Sequence, residues 1–380
     1  MRRQWLSRIA VPACMTVLFC SCTGGPSGDL HKETRFLMGT FVEVTVKGPA
    51  QEAKRAVGAV FDEMKRVEEL TSFHTSSGLT QVNASAGQGS VQADPELATL
   101  VGESLSFARE TDGAFDPTLG PLAKLWNFSA GEPRLPEDSE IKAALDKRGW
   151  QHVTVDASSG TITLPREQMS LDLGGIAKGY SLDRARLVLV KLGVQSALIN
   201  AGGDILAVGE KSPGHPWRIG VQDPRNPNGL VAVATLRDRV IVTSGDYERF
   251  FVHEGKRYHH ILNPETGYPA GGLRSVTIIA ADGVRADAMA TAVFGLGAKR
   301  GLEYVEKTPD VEGFLIDANG EMFFTSGAAD LIQTTDGQPP KPNRVNTSSR
   351  SGQPFPFAGT ELIDHLLVAI PCLNQRKQSG

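Results

Sequence analysis

The stretch "SLDLGGIAKGYSLD", residues 170–183, places Asp172 two positions before a glycine pair, then Lys178, then a helical pattern. Gly174 and Gly175 leave backbone N–H and C=O groups unobstructed. A helix starting near Ile176 presents unpaired amides and the positive end of its dipole, which suits a phosphate. Lys178 adds a positive charge, and the Asp172 carboxylate suits a metal, a ribose hydroxyl or a ring edge. The spacing is not that of a Walker loop. The same residues also read as a strand-to-helix turn capped by an aspartate, and the stretch alone does not choose.

Two further clusters carry chemistry. In "RADAMATAVFGLG" (285–297), Asp287 and Thr291 are four apart, so a helix turns both oxygens the same way. With a carbonyl from the Gly174–Gly175 turn they would form a hard-oxygen site suited to Mg²⁺, completed by water. Alone, such a pair usually means no more than a local hydrogen bond. In "TSGDYERFF" (243–251), Gly245 beside Ser244 and Asp246 suggests a ligand-facing turn. "RYHHILNPETGYP" (257–269) follows it. His259 and His260 adjoin on a strand and so point to opposite faces. His260 leads into the constrained turn and is the candidate proton acceptor, with a structural hydrogen bond as the alternative.

The elements that must position these residues are strands mixed with a few long helices, which points to an α+β fold. "TRFLMGTFVEVTVKG" alternates as a strand, and the helix after it puts Val57, Val60, Phe61, Met64 and Val67 on one stripe. Asp94 caps a helix whose first turn holds Pro95. "TDGAFDPTLGPLAKLWNF" (111–128) reads as a loop without periodicity, either functional or merely covering. "QHVTVDASSGTITLP" is a hairpin. The helix fed by the first motif puts Ile176, Tyr180 and Leu187 on one side. Strands follow to about residue 280, then a helix from about Asp282 to Lys299, and a hairpin around Asn319 and Gly320.

Composition narrows the function classes. Of 380 residues, 40% are hydrophobic and 22% charged, as in a folded domain with a real core. A net charge of −4 without a basic run excludes an electrostatic footprint for nucleic acid. Residues 1–21 read as a secretory signal, with Arg2, Arg3 and Arg8 before a short apolar stretch. "LFCSC" resembles a bacterial lipobox in which Cys22 is lipidated, although Phe19 stands where an aliphatic residue is usual. Plain secretion is the alternative. With Cys14 and Cys20 removed and Cys22 carrying lipid, only Cys372 would remain as a free thiol, so metal chemistry must use oxygen ligands. Residues 22–33 form a linker and 34–331 the folded domain. Residues 332–380 are a Pro/Gly/Ser-rich tail whose apolar run is shorter than a membrane span.

Seven motifs in order resemble the ApbE family of FAD:protein FMN transferases. They are "MGTF" (38–41), residues 111–128, "LDLGGIAKGYSLD", "INAGGDILAVG" (199–209), "TSGDYERFF", "YHHILNPETGYP" and "ADAMATAVFGLG". The resemblance spans about residues 34 to 328 and implies a T-fold-like α+β domain with mixed antiparallel sheets and packed helices. It implies an extracytoplasmic enzyme that uses Mg²⁺ and FAD, releases AMP and places FMN in phosphoester linkage on a threonine or serine of an acceptor. Family acceptors are flavoprotein subunits of Nqr- or Rnf-type membrane electron-transport complexes and related proteins. By motif position Gly175, Asp287 and Thr291 would hold the metal. Met38, Phe73, Ala114, Phe115, Asp116, Asp172, Lys178 and Ile261 would contact FAD, with His260 near the reacting centre. Three departures stand out. Asn263 replaces a usual aspartate, the early loop around Phe73 matches loosely, and the tail lies outside the family core. An FAD pyrophosphatase and a non-catalytic flavin-binding lipoprotein are the competing functions.

Overall fold

A computed structural model describes residues 30–128 and 134–335. The signal stretch, the Cys22 lipobox and the tail beyond 335 lie outside the described residues. An eight-stranded sheet forms the centre, its strands neighbouring one another in chain order and antiparallel throughout. They are β1 (Leu30–Leu37), β2 (Thr40–Lys47), β3 (Ala197–Ala201), β4 (Asp204–Val208), β5 (Arg239–Gly245), β6 (Leu273–Ala280), β7 (Glu312–Asp317) and β8 (Met322–Phe324). The helices are α1 (Ala50–Thr71), α2 (Gly78–Ala84), α3 (Pro95–Glu110), α4 (Gly120–Trp126), α5 (Asp138–Leu145), α6 (Ala177–Lys191) and α7 (Gly283–Lys307).

Both faces of the sheet are covered, which explains why its middle strands bury consecutive residues, as at Val240–Val242 and Val276–Ala280. Val240, Val242, Val276 and Ile278 join the core beneath α1, α6 and α7. Alternate residues Ala207, Ile241, Ile279 and Phe314 meet a second core beneath a three-stranded sheet built from Trp217–Asp223, Asn226–Leu236 and Ile332–Thr334. The foreseen α1 stripe is buried in full, each such side chain contributing about 1.5–3 kcal/mol. A third cluster joins Trp126, Ile141, Tyr258 and Leu262, anchoring the hairpin Phe250–His253/Lys256–His259 to α4 and α5.

Four local expectations change. "TRFLMGTFVEVTVKG" is two strands, because Met38 (φ 53°) and Gly39 (φ 71°) both adopt the left-handed conformation that closes a two-residue hairpin. The 111–128 stretch contains α4, too short to show a helical period. On α6 the buried residues are Ala177, Gly179, Ser181, Leu182, Ala185 and Leu189, while Leu187 is 46% exposed. Ile176 is buried and Tyr180 packs on the core as expected, but small residues define the rest of that face because another helix crosses it closely, so hydrophobicity alone misplaced Leu187. The last helix runs on to Lys307 past a break at Gly297 (φ 76°).

Candidate active site

Helices α6 and α7 meet through glycine. A β-carbon on Gly179 would stand 2.0 Å from the Gly283 carbonyl oxygen, so the backbones touch where no side chain fits. Each helix then caps the other. The Gly179 N–H donates to Asp287 Oδ2 at 2.9 Å. The N–H groups of Gly283 and Val284 donate to Asp183 at 2.8 and 2.9 Å. Helix starts leave such donors unpaired, and here a carboxylate from the neighbouring helix satisfies them.

A charged cluster lies at the α6 start. Asp204 opens β4 directly after the Gly202–Gly203 turn, and it shares the strand face of Leu206 and Val208, towards the helices. It is wholly buried and ion-paired with Lys178 in the first turn of α6. Burial acts to lower the Lys178 pKa, but Asp204, Asp287 and Glu248 outweigh it and hold the ammonium above the ordinary lysine range. Asp287 is 3% exposed, and its carboxyl is pushed up to about 7 by burial and then by the Asp204 charge. Glu248 stands on the exposed side. The surrounding protein pushes its carboxyl up, Lys178 pulls it down and Asp204 raises it again. The net shift is upward, tempered by the water that reaches this position. Three carboxylates around one ammonium leave negative charge in surplus.

That surplus fits a divalent cation. Asp287 Oδ1 makes no hydrogen bond among the described residues, because the Gly179 cap uses only Oδ2. A β-carbon on Gly175 would stand 3.0 Å from Thr291 Oγ1 and 3.2 Å from Phe115, so glycine is what lets this backbone approach the hydroxyl. Among the described residues no three His, Cys, Asp or Glu side chains gather as a metal-binding group. The residues that would hold a cation are Asp287, Thr291 and the backbone of Gly175, a hard oxygen donor set of the kind that suits Mg²⁺.

His260 is half-buried at the end of its hairpin. Its Nδ1 lies 3.3 Å from the Arg249 carbonyl. A carbonyl only accepts, so this contact places the proton on Nδ1 and leaves Nε2 as the acceptor. Burial, then Arg249, His259 and Lys178, hold its pKa well below the ordinary imidazole range. His259 turns the other way: it is buried, bonds the Ala270 carbonyl at 2.9 Å and packs on Phe294. Asn263 keeps its turn, accepting from the Glu265 and Thr266 amides at 2.9 Å each.

The remaining candidates divide into those engaged locally and those near the cluster. Met38 lies in the β1–β2 turn, its N–H bonded to Glu68. Thr40, which follows that turn, packs against Gly202 just before Asp204. Ala114 and Phe115 lie against α7 and Gly175 respectively. Asp172 Oδ1 accepts the Gly174 amide at 2.8 Å, so the capped-turn reading holds for one oxygen. Its own N–H reaches the Pro117 carbonyl at 2.8 Å. The Asp116 carboxylate is engaged within its loop, accepting from the Thr118 amide and hydroxyl and facing Arg148 at 3.3 Å. Ile261 is core, and Phe73 lies under the Lys124 ammonium, 5.3 Å from its ring centre.

Sequence reasoning did not single out Asp204, Glu248 or Asp183. Asp204 and Glu248 stand inside quoted motifs, "INAGGDILAVG" and "TSGDYERFF". An aspartate just after a Gly–Gly turn, with apolar residues alternating behind it, was the available signal for a carboxylate aimed at the helical layer.

Fold and site together define an α+β domain in which a lysine ion-paired with a buried aspartate stands at a helix crossing beside Asp287 and the Gly175–Thr291 contact. The sequence model of the ApbE family matches residues 38–315, and the chain belongs to that family. The FAD:protein FMN transferase of Treponema pallidum is 34% identical over 349 residues, covering 87% of this chain and 96% of the relative. The enzyme of the same name from Escherichia coli K12 is 30% identical over 298 residues, 76% and 84% of the two chains. Among solved structures, the ApbE protein of Thermotoga maritima superposes with TM-score 0.74 at 36% identity, covering 79% of this chain and 98% of its own. The flavin transferase ApbE of Vibrio cholerae gives 0.72 at 26%, covering 80% and 99%.

Proposed function

We propose that this protein is an Mg²⁺-dependent FAD:protein FMN transferase. It cleaves FAD at its diphosphate and joins FMN through a phosphoester to a threonine or serine of an acceptor flavoprotein, releasing AMP. The observation that carries this reading is the meeting of Lys178, Asp287 and the Gly175–Thr291 contact at one helix crossing, in a family whose curated relatives bear that name.

The chain's residues divide the work. Gly175, Asp287 and Thr291 would hold the magnesium, which supplies charge neutralisation to the diphosphate when bound. Lys178 neutralises a phosphate oxygen from a fixed position. His260 Nε2 takes the acceptor hydroxyl's proton as that oxygen bonds to the FMN phosphorus. The bridging P–O bond breaks on the opposite side, and its electron pair leaves with AMP. Met38, Phe115 and the Asp172 turn line the approach to FAD. Anchoring through lipidated Cys22, an extracytoplasmic location and an acceptor in an Nqr- or Rnf-type complex complete the reading.

The test is incubation with FAD and Mg²⁺, with and without an acceptor subunit. Equimolar AMP and a covalently fluorescent acceptor band are expected. Free FMN and AMP in both tubes with no labelled band would make the protein an FAD pyrophosphatase. Tight FAD binding with no AMP at any magnesium concentration would make it a flavin-binding protein.

A further inference from the structure

Lys178 stands in the field of two buried carboxylates and pairs with only one. Its partner Asp204 is 0% exposed, and apart from that ammonium only the Thr243 backbone N–H acts on its carboxylate, too poorly aligned to satisfy it. A buried carboxylate held by little but an ammonium is a costly arrangement, and its worth lies in placement rather than stability. The placement is tightly built. Gly202 (φ 65°) and Gly203 (φ 101°) close the β3–β4 hairpin, and a β-carbon on Gly202 would stand 2.3 Å from Thr40 Oγ1. The start of β4 therefore has no freedom to shift, and strand alternation sends the Asp204 side chain to the helical layer.

Asp287 is the other buried carboxylate acting on this lysine, and Glu248, on the exposed side, acts more weakly. Lys178 immediately precedes Gly179, whose amide is bonded to Asp287, so the lysine stem leaves the same turn that Asp287 touches. Without Asp204, the ammonium's strongest remaining attraction is Asp287, whose free oxygen is the cation seat. An ammonium and a hard divalent cation compete for one carboxylate oxygen.

We propose that Asp204 is a positioning residue that holds the Lys178 ammonium on the strand side and so keeps Asp287 open to a divalent cation. The inference rests on the cation-assisted reading above, and its test reads magnesium binding rather than turnover. Magnesium alone is titrated calorimetrically into the full chain, without FAD or acceptor. Asp204→Asn, which keeps the side chain's shape, is expected to weaken magnesium binding about tenfold or more. The double variant K178M/D204N removes the competitor and is expected to return affinity to within about threefold of the parent, with turnover still low for want of the lysine. Lys178→Met alone is expected to bind magnesium at least as tightly as the parent, which serves where Asp204→Asn does not fold. Parent-like affinity in Asp204→Asn, a double variant as weak as the single, or weaker binding in Lys178→Met would each overturn the proposal and leave the transferase reading standing. A parent protein that binds no magnesium would overturn both.

Discussion

Two buried aspartates sit beside a basic residue in this molecule, and they are opposites. Asp116 accepts two hydrogen bonds from Thr118 and faces Arg148, so its loop satisfies it from within. Burial pushes its carboxyl up, and its neighbours Thr118 and Arg148 pull it back. Asp287 gives one oxygen to a helix cap and leaves the other free, and a second buried carboxylate, Asp204, pushes its pKa further up. The first carboxylate is consumed by structure. The second is left in want of a positive partner, and that want distinguishes a ligand site from a loop fastener.

The sharpest way to break the comparison is Asp287→Asn, which keeps an acceptor for the Gly179 amide but removes the charge. Magnesium-dependent AMP release should fall about 10³-fold or more with the fold intact. Turnover near the parent's would show that the cation seat lies elsewhere. His260→Gln should lower turnover by about 10²–10⁴-fold while FAD affinity, read by fluorescence quenching, barely moves. Gly175→Ala places a methyl against Thr291 and Phe115. It should raise the magnesium concentration for half-maximal rate by about tenfold, and an unchanged requirement would remove Gly175 from the seat.

The pH dependence sharpens the same contrast. Asp287 is pushed up to about 7, so acid neutralises it and magnesium binding should loosen as pH falls through that value. A carboxyl whose pKa rises on folding favours the folded state while protonated and loses that contribution as pH climbs. Without cation, melting temperature should therefore rise as pH falls from about 8 to about 6, and saturating magnesium should flatten or reverse the slope. The smallest effect on catalysis belongs to Asp116→Asn. Turnover per folded molecule should stay near the parent's, while chemical denaturation shows a loss of about 1–3 kcal/mol. A large loss of turnover with stability intact would give Asp116 a direct role at FAD.

Much of this was legible beforehand where the physics is local. The α1 stripe, the Asp94 cap, the Asn319–Gly320 hairpin and the opposed faces of His259 and His260 follow from periodicity and turn chemistry within a few residues. The α6 stripe held at Ile176 and Tyr180 but failed at Leu187, because the buried face further along answers to α7, not to its own hydrophobicity. Asp204 was missed because its meaning comes from Lys178, which lies across the sheet–helix interface.

By itself the sequence determined the alphabet of this protein: most of its strands and helices, which motifs carry paired glycines and oxygen side chains, and which family they resemble. Tertiary structure alone decided which acids are spent and which are left open. Charge balance, helix capping and desolvation depend on distances between segments about a hundred residues apart, as between Gly179 and Asp287, and no local pattern encodes those distances.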